Sequence, residues 1–438
     1  MNENPVRMGG RALVAGVLMF TVVGLGWLFW ARGRAMNQPI PGVALLPFKA
    51  EPPEFGYFGD GLTIELTNAL SKVEKLRVVS WNSAAQFRGK AGNLKELHDR
   101  LQAGAVVNGA VLKRGDRLLI TANLIDTNGG ETIWSETYDR PEREIFKIQE
   151  EIAKSIVYSL KVPLRVDPQR ILVPVRTQSV EACQDYLRAR AALGAFSLDG
   201  LARSSEFARK AIIEDPKFAP AYALLAANIG LFGSSFHKAK ELARKTIEMD
   251  PSSVEAHAAL GLALGMGEFD WKGARTELER AIQWSPGSAD AHASMALGYL
   301  LPTGDPDGAE FEASKALELD PLSFFANRVA AEVFLARGKY GEAIDRFRVA
   351  LAISAEFQEV RREYAAARRA AGEPVGVDGA FNEACAKAAA GDLDAAFASL
   401  DEVVEHRDRE VVFVKSDIRL TNLRKDPRFG ALLKRLKL

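Results

Sequence analysis

The residues of this chain that could take part in chemistry are its histidines, cysteines and carboxylates. The histidines are His98, His237, His257, His292 and His406. His257 and His292 occupy equivalent places 35 residues apart and could face each other as metal ligands. However, no acidic or thiol side chain recurs with them, and Tyr222 fills the same place one period earlier. The pattern therefore favours a structural role in packing, and we expect neither a metal site nor a cofactor.

Catalytic motifs are absent from the sequence. Cys183 and Cys385 lack the CxxC spacing of a zinc or redox site and are expected to be buried, small apolar residues. Neither the GxSxG motif of a nucleophilic serine nor the HExxH motif of a zinc protease is present. Carboxylate pairs such as Glu150-Glu151 and Asp401-Glu402 fall on predicted exposed helix faces. We therefore predict a protein that is not an enzyme.

A glycine-rich stretch from Gly56 to Gly61 could bind a phosphate group, because backbone amides at the start of a helix attract anions. The stretch does not follow the GxxxxGKS/T or GxGxxG order that phosphate-binding loops require. The interpretation that the sequence favours is that Asp60 is the N-cap of a helix.

Most of the chain consists of a repeated unit. A two-residue turn signal recurs at Asp215-Pro216, Asp250-Pro251, Ser285-Pro286 and Asp320-Pro321. Successive prolines are 35 residues apart, and Ala or Thr stands five residues before each of them. A fixed period of this length predicts a solenoid, in which stacked helix pairs share one apolar core. We predict about six pairs within residues 180–405, the last of them degenerate.

The pairs carry small and aromatic residues at regular places. Ala343, Phe347 and Ala350 form a small, aromatic, small series on a second helix, and Leu260-Gly261 and Tyr299 fill first-helix positions that pack against such a series. This pattern resembles the tetratricopeptide repeat, which implies a concave groove for a protein or peptide partner. Several units exceed the usual period of about 34 residues, and we expect the extra residue in the turn between the paired helices.

The first helix of a tetratricopeptide pair lines the groove, which makes four charged residues candidates for contact with a partner. They are Glu255, Asp290, Arg328 and Glu332. The same residues are equally well explained as ordinary solvent-facing charges.

The stretch before the repeats predicts a small α/β domain. Val43 to Leu46 and Leu76 to Val79 are apolar runs typical of buried strands, with a helical pattern from Leu62 to Val73 between them. An antiparallel meander follows, with turns at Gly115-Asp116 and Asn128-Gly129. A final amphipathic helix carries an apolar stripe of Ile145, Ile148, Ile152, Ile156 and Leu160.

Five stretches of this domain are shared with a known family and together cover nearly all of residues 42–160. They are Val43 to Phe48, Phe58 to Thr63, Phe87 to Lys90, Asp116 to Asp126, and Trp134 to Asp139. The domain resembles the TolB amino-terminal-like (FlgO-like) domain that bacteria place before tetratricopeptide repeats. Relatives often carry a winged-helix regulator or a cyclase domain ahead of this module. Only eleven residues precede the uncharged segment at residues 12–31, so we expect neither activity here.

Residues 12–31 form an uncharged run that predicts a transmembrane helix. Twenty residues at about 1.5 Å each cross the hydrocarbon core of a bilayer. Trp27 and Trp30 lie at its far end, where indole rings prefer the membrane interface. An uncleaved anchor is favoured over a signal peptide, whose apolar region has about 7 to 15 residues. We expect a single-pass protein of the bacterial inner membrane, with a cytoplasmic N-terminus and a periplasmic C-terminal region.

The predicted fold class is α/β plus all-α. The predicted segments are a tail (1–11), a transmembrane helix (12–31), a linker (32–41), the TolB-like α/β domain (42–161), a second linker (162–179), the repeats (180–405) and a capping segment (406–438). Lys plus Arg and Asp plus Glu balance at 57 each, which disfavours a nucleic-acid partner. The predicted function is a membrane-anchored, non-enzymatic scaffold for protein–protein interaction. The alternative is an envelope sensor whose TolB-like module binds a small ligand or an envelope component and signals through the repeats. A pocket rich in backbone donors near Gly56 to Gly61 would favour this alternative.

Overall fold

The computed structural model describes most of the chain after residue 41. The described residues are 42–73, 76–90, 92–160, 173, 177–194, 197–231, 235–372, 380–405 and 409–438. The predicted segments 1–11, 12–31 and 32–41 lie outside these ranges, as does most of the predicted linker 162–179. Within the ranges, every helix is too short or too polar to cross a bilayer.

A six-stranded sheet opens the described part. Its strands are β1 (Gly42–Leu45), β2 (Lys49–Glu51), β3 (Arg77–Val79), β4 (Ala105–Arg114), β5 (Arg117–Asp126) and β6 (Thr132–Pro141). The strand order is β3, β1, β4, β5, β6, with β2 beside β4. β1 pairs in parallel with β3 and β4, whereas β4, β5 and β6 are antiparallel neighbours. The predicted meander is therefore confirmed.

Four helices accompany the sheet: α1 (Gly56–Leu70), α2 (Trp81–Ala85), α3 (Leu94–Leu101) and α4 (Ile145–Ser159). Alternate residues of β5 and the isoleucine stripe of α4 are buried in one apolar core with α1. The burial of every second residue in β5 is the pattern of a strand with one buried face, and the buried isoleucines of α4 have the spacing of one helix face. Both patterns were expected from the sequence. We call the described residues of 42–160 the α/β module.

The prediction that Asp60 caps a helix is wrong. Helix α1 begins at Gly56 after the N-cap residue Phe55, so Asp60 lies inside the helix. Its carboxylate instead forms an ion pair of 2.7 Å with Arg88. A Cβ atom at Gly61 would lie 2.8 Å from the side chain of Leu187. This glycine therefore allows close packing between two helices and does not cradle a phosphate group.

Ten helices then form five antiparallel pairs. They are α5 (Val180–Leu193) with α6 (Leu198–Glu214), α7 (Ala219–Leu231) with α8 (Phe236–Met249), α9 (Val254–Leu262) with α10 (Trp271–Trp284), α11 (Ala289–Met295) with α12 (Pro306–Leu319), and α13 (Phe324–Ala336) with α14 (Tyr340–Ile353). A helix that the sequence analysis did not predict, α15 (Gln358–Ala370), follows. A last pair, α16 (Ala380–Ala389) and α17 (Leu393–Glu405), comes after it.

The longer repeats take up their extra residue inside a helix. Ala263–Gly267 and Ala296–Leu300 are π-helical turns that continue α9 and α11, with a short helical turn at Leu301–Thr303 after the second. A π turn holds one residue more than an α turn. The repeat from Ala316 to Ala350, whose first helix α13 is uninterrupted, has 34 residues instead of 35. The expectation that the extra residue lies between the paired helices is therefore wrong for these two repeats.

The C-terminal segment packs on more than the last pair. It contains the 3-10 turns Arg409–Phe413 and Ile418–Leu423 and helix α18 (Pro427–Arg435). Arg428 and Arg435 form ion pairs with α17. The backbone carbonyl of Lys437 also accepts a hydrogen bond of 2.9 Å from the indole of Trp271. The segment thus reaches from the end of the array back to α10.

Candidate functional site

A cavity of about 230 Å³ lies between the α/β module and the repeats. Its walls include parts of α1, α2 and α5 and the first turns of α9 and α11. The charged side chains that line it are Glu65, Lys72, Arg190, Glu255, Asp290 and Asp320. Two of the four predicted groove residues, Glu255 and Asp290, therefore share one cavity.

One edge of the cavity is a docking contact between Ser71, at the end of α1, and the turn before α11. The carbonyl oxygen of Ser71 accepts hydrogen bonds of 3.2 Å from the backbone N–H of Gly287 and 3.2 Å from the hydroxyl of Ser285. The last carbonyls of a helix have no partner within the helix. The repeats therefore supply the hydrogen-bond donors that satisfy this carbonyl at the C-terminal end of α1.

The next repeat contacts the module through Asp320, which is 3% exposed. Its carboxylate accepts a hydrogen bond of 3.0 Å from the hydroxyl of Ser83 and a longer one from the amide of Asn82, both in helix α2. Burial raises the pKa of Asp320 above its usual range, although hydrogen bonds from Ser80, Ser83, the backbone of Leu322 and Asn82 offset part of the rise. Asp320 thus faces the first turn of α2, the positive end of that helix.

The two docking contacts explain a break in the repeated turn signal. An aspartate precedes the proline in three of the four turns, at positions 215, 250 and 320. In the remaining turn, the residue before the proline is Ser285. A carboxylate at position 285 would face the carbonyl oxygen of Ser71 and the negative end of α1, an unfavourable arrangement. A neutral hydroxyl can donate there instead. The sequence analysis missed this site, although the single Ser among the Asp residues was a visible signal.

Arg190 of α5 links the module to the repeats and is 8% exposed. Its guanidinium pairs with Glu65 of α1 at 3.2 Å and also with Glu255 of α9, and it donates to the hydroxyl of Tyr186 over 2.8 Å. Burial by itself would lower the pKa of Arg190, but the two carboxylates raise it well above its ordinary value. The guanidinium therefore remains charged and joins three elements.

Asp290, the second residue of α11, has no such partner. It makes neither a hydrogen bond nor an ion pair with another described residue. Protein atoms surround the carboxylate, yet the side chain remains exposed because it faces open space. Burial, with the nearby charges of Asp320 and Glu255, raises its pKa to about 6, against a lowering by Arg190. The cavity therefore contains one carboxylate that is not neutralised.

The other two predicted groove residues lie elsewhere and are buried. Arg328 and Glu332 of α13 are 3% and 6% exposed. The guanidinium of Arg328 lies 3.0 Å from Glu332 and 2.9 Å from Glu363 of α15. These side chains satisfy one another inside the array, so the structure does not bring all four groove candidates onto one surface. For Glu255 and Asp290, contact with a partner stays a prediction.

His257 and His292 hold turns in place. The Nε2 atom of each donates to the carbonyl of Pro251 or Pro286 over 2.9 or 3.0 Å. Asn327, at the same place in the next repeat, makes an equivalent bond to Pro321.

An acidic partner does recur with the two histidines, contrary to the sequence analysis. Nδ1 of His257 lies 2.6 Å from Glu277, and Nδ1 of His292 lies 2.5 Å from Glu312. Each carboxylate orients its own ring, and the described residues include no group of three ligands suited to a metal ion.

Both cysteines are free and buried, as predicted. Burial raises the pKa of the Cys385 thiol to about 12 and raises that of Cys183 further. Because the thiolate is the reactive form, neither cysteine is suited to nucleophilic chemistry near neutral pH.

Sequence comparison finds a curated relative. The chain is 31% identical over 188 residues to "Putative adenylate cyclase 3" of Rhizobium meliloti (strain 1021). The match covers 42% of this chain and 32% of the relative, so the chain spans about a third of the length of the protein it matches. No family model matches the chain.

Comparison with solved structures finds helical-repeat proteins. A thermophilic tetratricopeptide protein of Thermus thermophilus superimposes with a TM-score of 0.35 at 23% identity, over 42% of this chain and 98% of its own. A monomeric IFIT1 mutant with Gppp-AAAA gives a TM-score of 0.39 at 15% identity, over 67% and 73% of the two chains. Both TM-scores are below 0.5, and the repeat architecture rests instead on the helix pairs and spacing described above.

Proposed function

We propose that this chain is a membrane-anchored, non-enzymatic scaffold that captures a protein partner with its tetratricopeptide-like repeats. The observation that carries the proposal is that the repeats already hold a folded segment, the α/β module, by hydrogen bonds at successive turns. Stacked helix pairs present an extended binding surface of this kind. In the arrangement described, the module covers part of that surface.

Capture of a partner is tested by crosslinking in cells and mass spectrometry of proteins that copurify with the full-length chain. We expect a stoichiometric protein partner that is lost when residues 180–438 are deleted. A partner retained without the repeats would contradict the scaffold function.

The covering role of the module is tested with a disulfide. The Oγ atoms of Ser71 and Ser285 are 3.0 Å apart, so the double variant Ser71→Cys, Ser285→Cys places two thiols within bonding reach. Cys183 and Cys385 are buried and do not compete. We expect oxidation to reduce partner capture and dithiothreitol to restore it, with the single variant Ser71→Cys as control. Equal capture in both redox states would show that the module does not cover the binding surface.

The location that we propose is the bacterial inner membrane, with residues 12–31 as a single span and the large C-terminal region in the periplasm. The uncharged run and its terminal tryptophans support it. Protease added to intact spheroplasts should digest the C-terminal region. If the C-terminal region were digested only after lysis, the proposed orientation would be wrong.

We also propose that the module is a TolB-like domain and that the chain has no cyclase activity, although the relative named above is called an adenylate cyclase. The shared sequence stretches support the first point. The second is supported by the absence of catalytic motifs from the sequence. Purified full-length chain should form no cyclic AMP from Mg-ATP above a heat-inactivated control, and sustained formation would make the protein an enzyme.

A second candidate function is a sensor, in which a small ligand bound by the module is signalled through the repeats. The cavity favours it, because a ligand there would touch both parts at once. This assignment moves the proposed ligand site away from the stretch Gly56 to Gly61, in which Gly61 allows close packing against Leu187.

A further inference from the structure

The charges of the cavity are not balanced. Four carboxylates and two cations line it. Arg190 is engaged by Glu65 and Glu255, and Asp320 accepts hydrogen bonds from Ser83 and Asn82. These contacts account for three carboxylates and leave the fourth, Asp290.

Asp290 is not needed as the cap of its own helix. Ser288 is the N-cap of α11, and its hydroxyl accepts the hydrogen bond from the N–H of Ala291. The first turn therefore does not need the carboxylate of Asp290 as a cap. This carboxylate lines the open space and has no partner among the described residues.

We propose that the cavity binds a protonated amine or a guanidinium group, with Asp290 as its counterion. A carboxylate that lines a cavity is stabilised there by a cation that hydrogen-bonds to it. An anionic ligand is disfavoured, because Arg190 is already paired and the lining carries excess negative charge. A metal ion is disfavoured as well, because the described residues offer no cluster of three ligands.

The walls of the cavity also limit the size of the ligand. A volume of about 230 Å³ is below the roughly 300–1,000 Å³ of sites for drug-sized molecules. Leu224, Val254, Ala258 and Leu319 contribute apolar surface. The site therefore suits a cationic head on a short aliphatic chain, such as a small alkylguanidinium or the side chain of arginine or lysine.

Protons compete with this cation. The titratable and charged groups that line the cavity with Asp290 are Glu65 of α1, Lys72 just after α1, Arg190 of α5, Glu255 of α9, and Asp320 after α12. Burial, followed by the charges of Asp320 and Glu255, raises the pKa of Asp290 to about 6, and Arg190 opposes this rise. About a tenth of the carboxylate is ionised at pH 5 and nearly all at pH 7.5, so affinity for a cation should be about tenfold lower at pH 5.

The inference rests on the sensor function for its ligand site, but it does not depend on partner capture by the repeats. The test is isothermal titration calorimetry on the purified full-length chain. The probes are n-butylguanidinium, its neutral analogue n-butylurea, and the peptide acetyl-Gly-Arg-Gly-amide. The variants are Asp290→Asn and, as matched control, Asp199→Asn, which also changes the second residue of a helix, α6, but outside the cavity.

We expect both cations to bind at pH 7.5, n-butylurea not to bind, and Asp290→Asn to weaken binding at least tenfold while Asp199→Asn leaves it unchanged. Similar affinities for the two cations identify a small diffusible ligand. Peptide binding that is more than tenfold tighter identifies a basic side chain of a partner. Absence of binding by both cations, or binding that Asp290→Asn does not weaken, overturns the inference.

Failure of the sensor function has a different signature. The rate at which the Ser71→Cys, Ser285→Cys pair oxidises is measured with and without the cation. If the cation binds but the rate does not change, the ligand site is retained and signalling through docking of the module is rejected.

Discussion

Two clusters of charged residues, one inside the array and one at the module, differ in how completely their charges are paired. In α13 and α15, Arg328 is surrounded by Glu332 and Glu363 at 3.0 and 2.9 Å, and all three side chains are less than a tenth exposed. At the module, Arg190 joins Glu65 and Glu255 in a similar way, but Asp290 remains beside them without a partner. The first cluster is satisfied by its own side chains, whereas the second includes the carboxylate that we propose as the counterion of a bound cation.

Removal of the cation from the fully paired cluster should have the largest effect. Arg328→Met would remove the guanidinium that pairs with the buried carboxylates of Glu332 and Glu363 and should lower the free energy of unfolding by about 3 to 5 kcal/mol. Urea unfolding followed by circular dichroism measures this loss. The control is Arg348→Met, at an exposed arginine, which should match the parent. A loss below about 1 kcal/mol would mean that the cluster is not a structural unit.

The docking contact should show the next largest effect. A Cβ atom at position 287 would lie 2.8 Å from the carbonyl oxygen of Ser71, so Gly287→Ala should force the module away and cost about 1 to 3 kcal/mol. Gly341→Ala is the matched control, because a Cβ atom there meets nothing within 4 Å. Thermal melts of the two variants can be compared directly, and equal melting temperatures would contradict the contact at Ser71.

The unpaired carboxylate should produce a smaller effect that depends on pH. The pKa of Asp290 rises from 3.8 in its ordinary state to about 6 in the folded protein. The folded state therefore holds this proton more tightly, and the contribution of Asp290 to stability falls as pH rises from about 4 to 6. Asp290→Asn should stabilise the protein by about 1 kcal/mol at pH 7.5, a value reduced for access of water, and by little at pH 4. Equal effects in urea unfolding at both pH values would contradict the raised pKa.

Exposed ion pairs of the C-terminal segment should matter least. Arg435 and Asp401 are 2.7 Å apart but about half exposed, so Arg435→Ala should change the free energy of unfolding by less than about 0.5 kcal/mol. Differential scanning calorimetry measures the change in stability of this variant, which should be the smallest of the four. A shift as large as that of Gly287→Ala would mean that the segment is held by this pair.

The secondary structure was largely accessible from the sequence, because it depends on local periodicity. Val180–Leu193, the strands of the meander and the isoleucine stripe of α4 follow patterns within a few residues. Asp60 was misassigned because capping depends on where the helix begins, and α1 begins four residues earlier. Helix α15 was missed because it lies between a recognisable repeat and a degraded one.

The candidate site was accessible only in part. Glu255 and Asp290 were chosen because they lie at the start of first helices, a local property. The contact of Ser71 with Ser285 joins residues 214 positions apart, which no local pattern reveals. The acidic partners of His257 and His292 were missed because they stand 20 residues away on second helices. The one signal that pointed beyond local structure was the Ser at position 285.

The hydrogen bond between Trp271 and Lys437 has a consequence for how the chain folds during synthesis. A simple solenoid can add one helix pair at a time as it leaves the ribosome, since each pair contacts only its neighbours. Here Lys437 binds the side chain of a residue 166 positions earlier in the chain. Contacts of such large sequence separation slow folding. Trp271, at the N-terminal end of α10, therefore lacks this contact until Lys437 has left the ribosome, well after the last repeat has emerged.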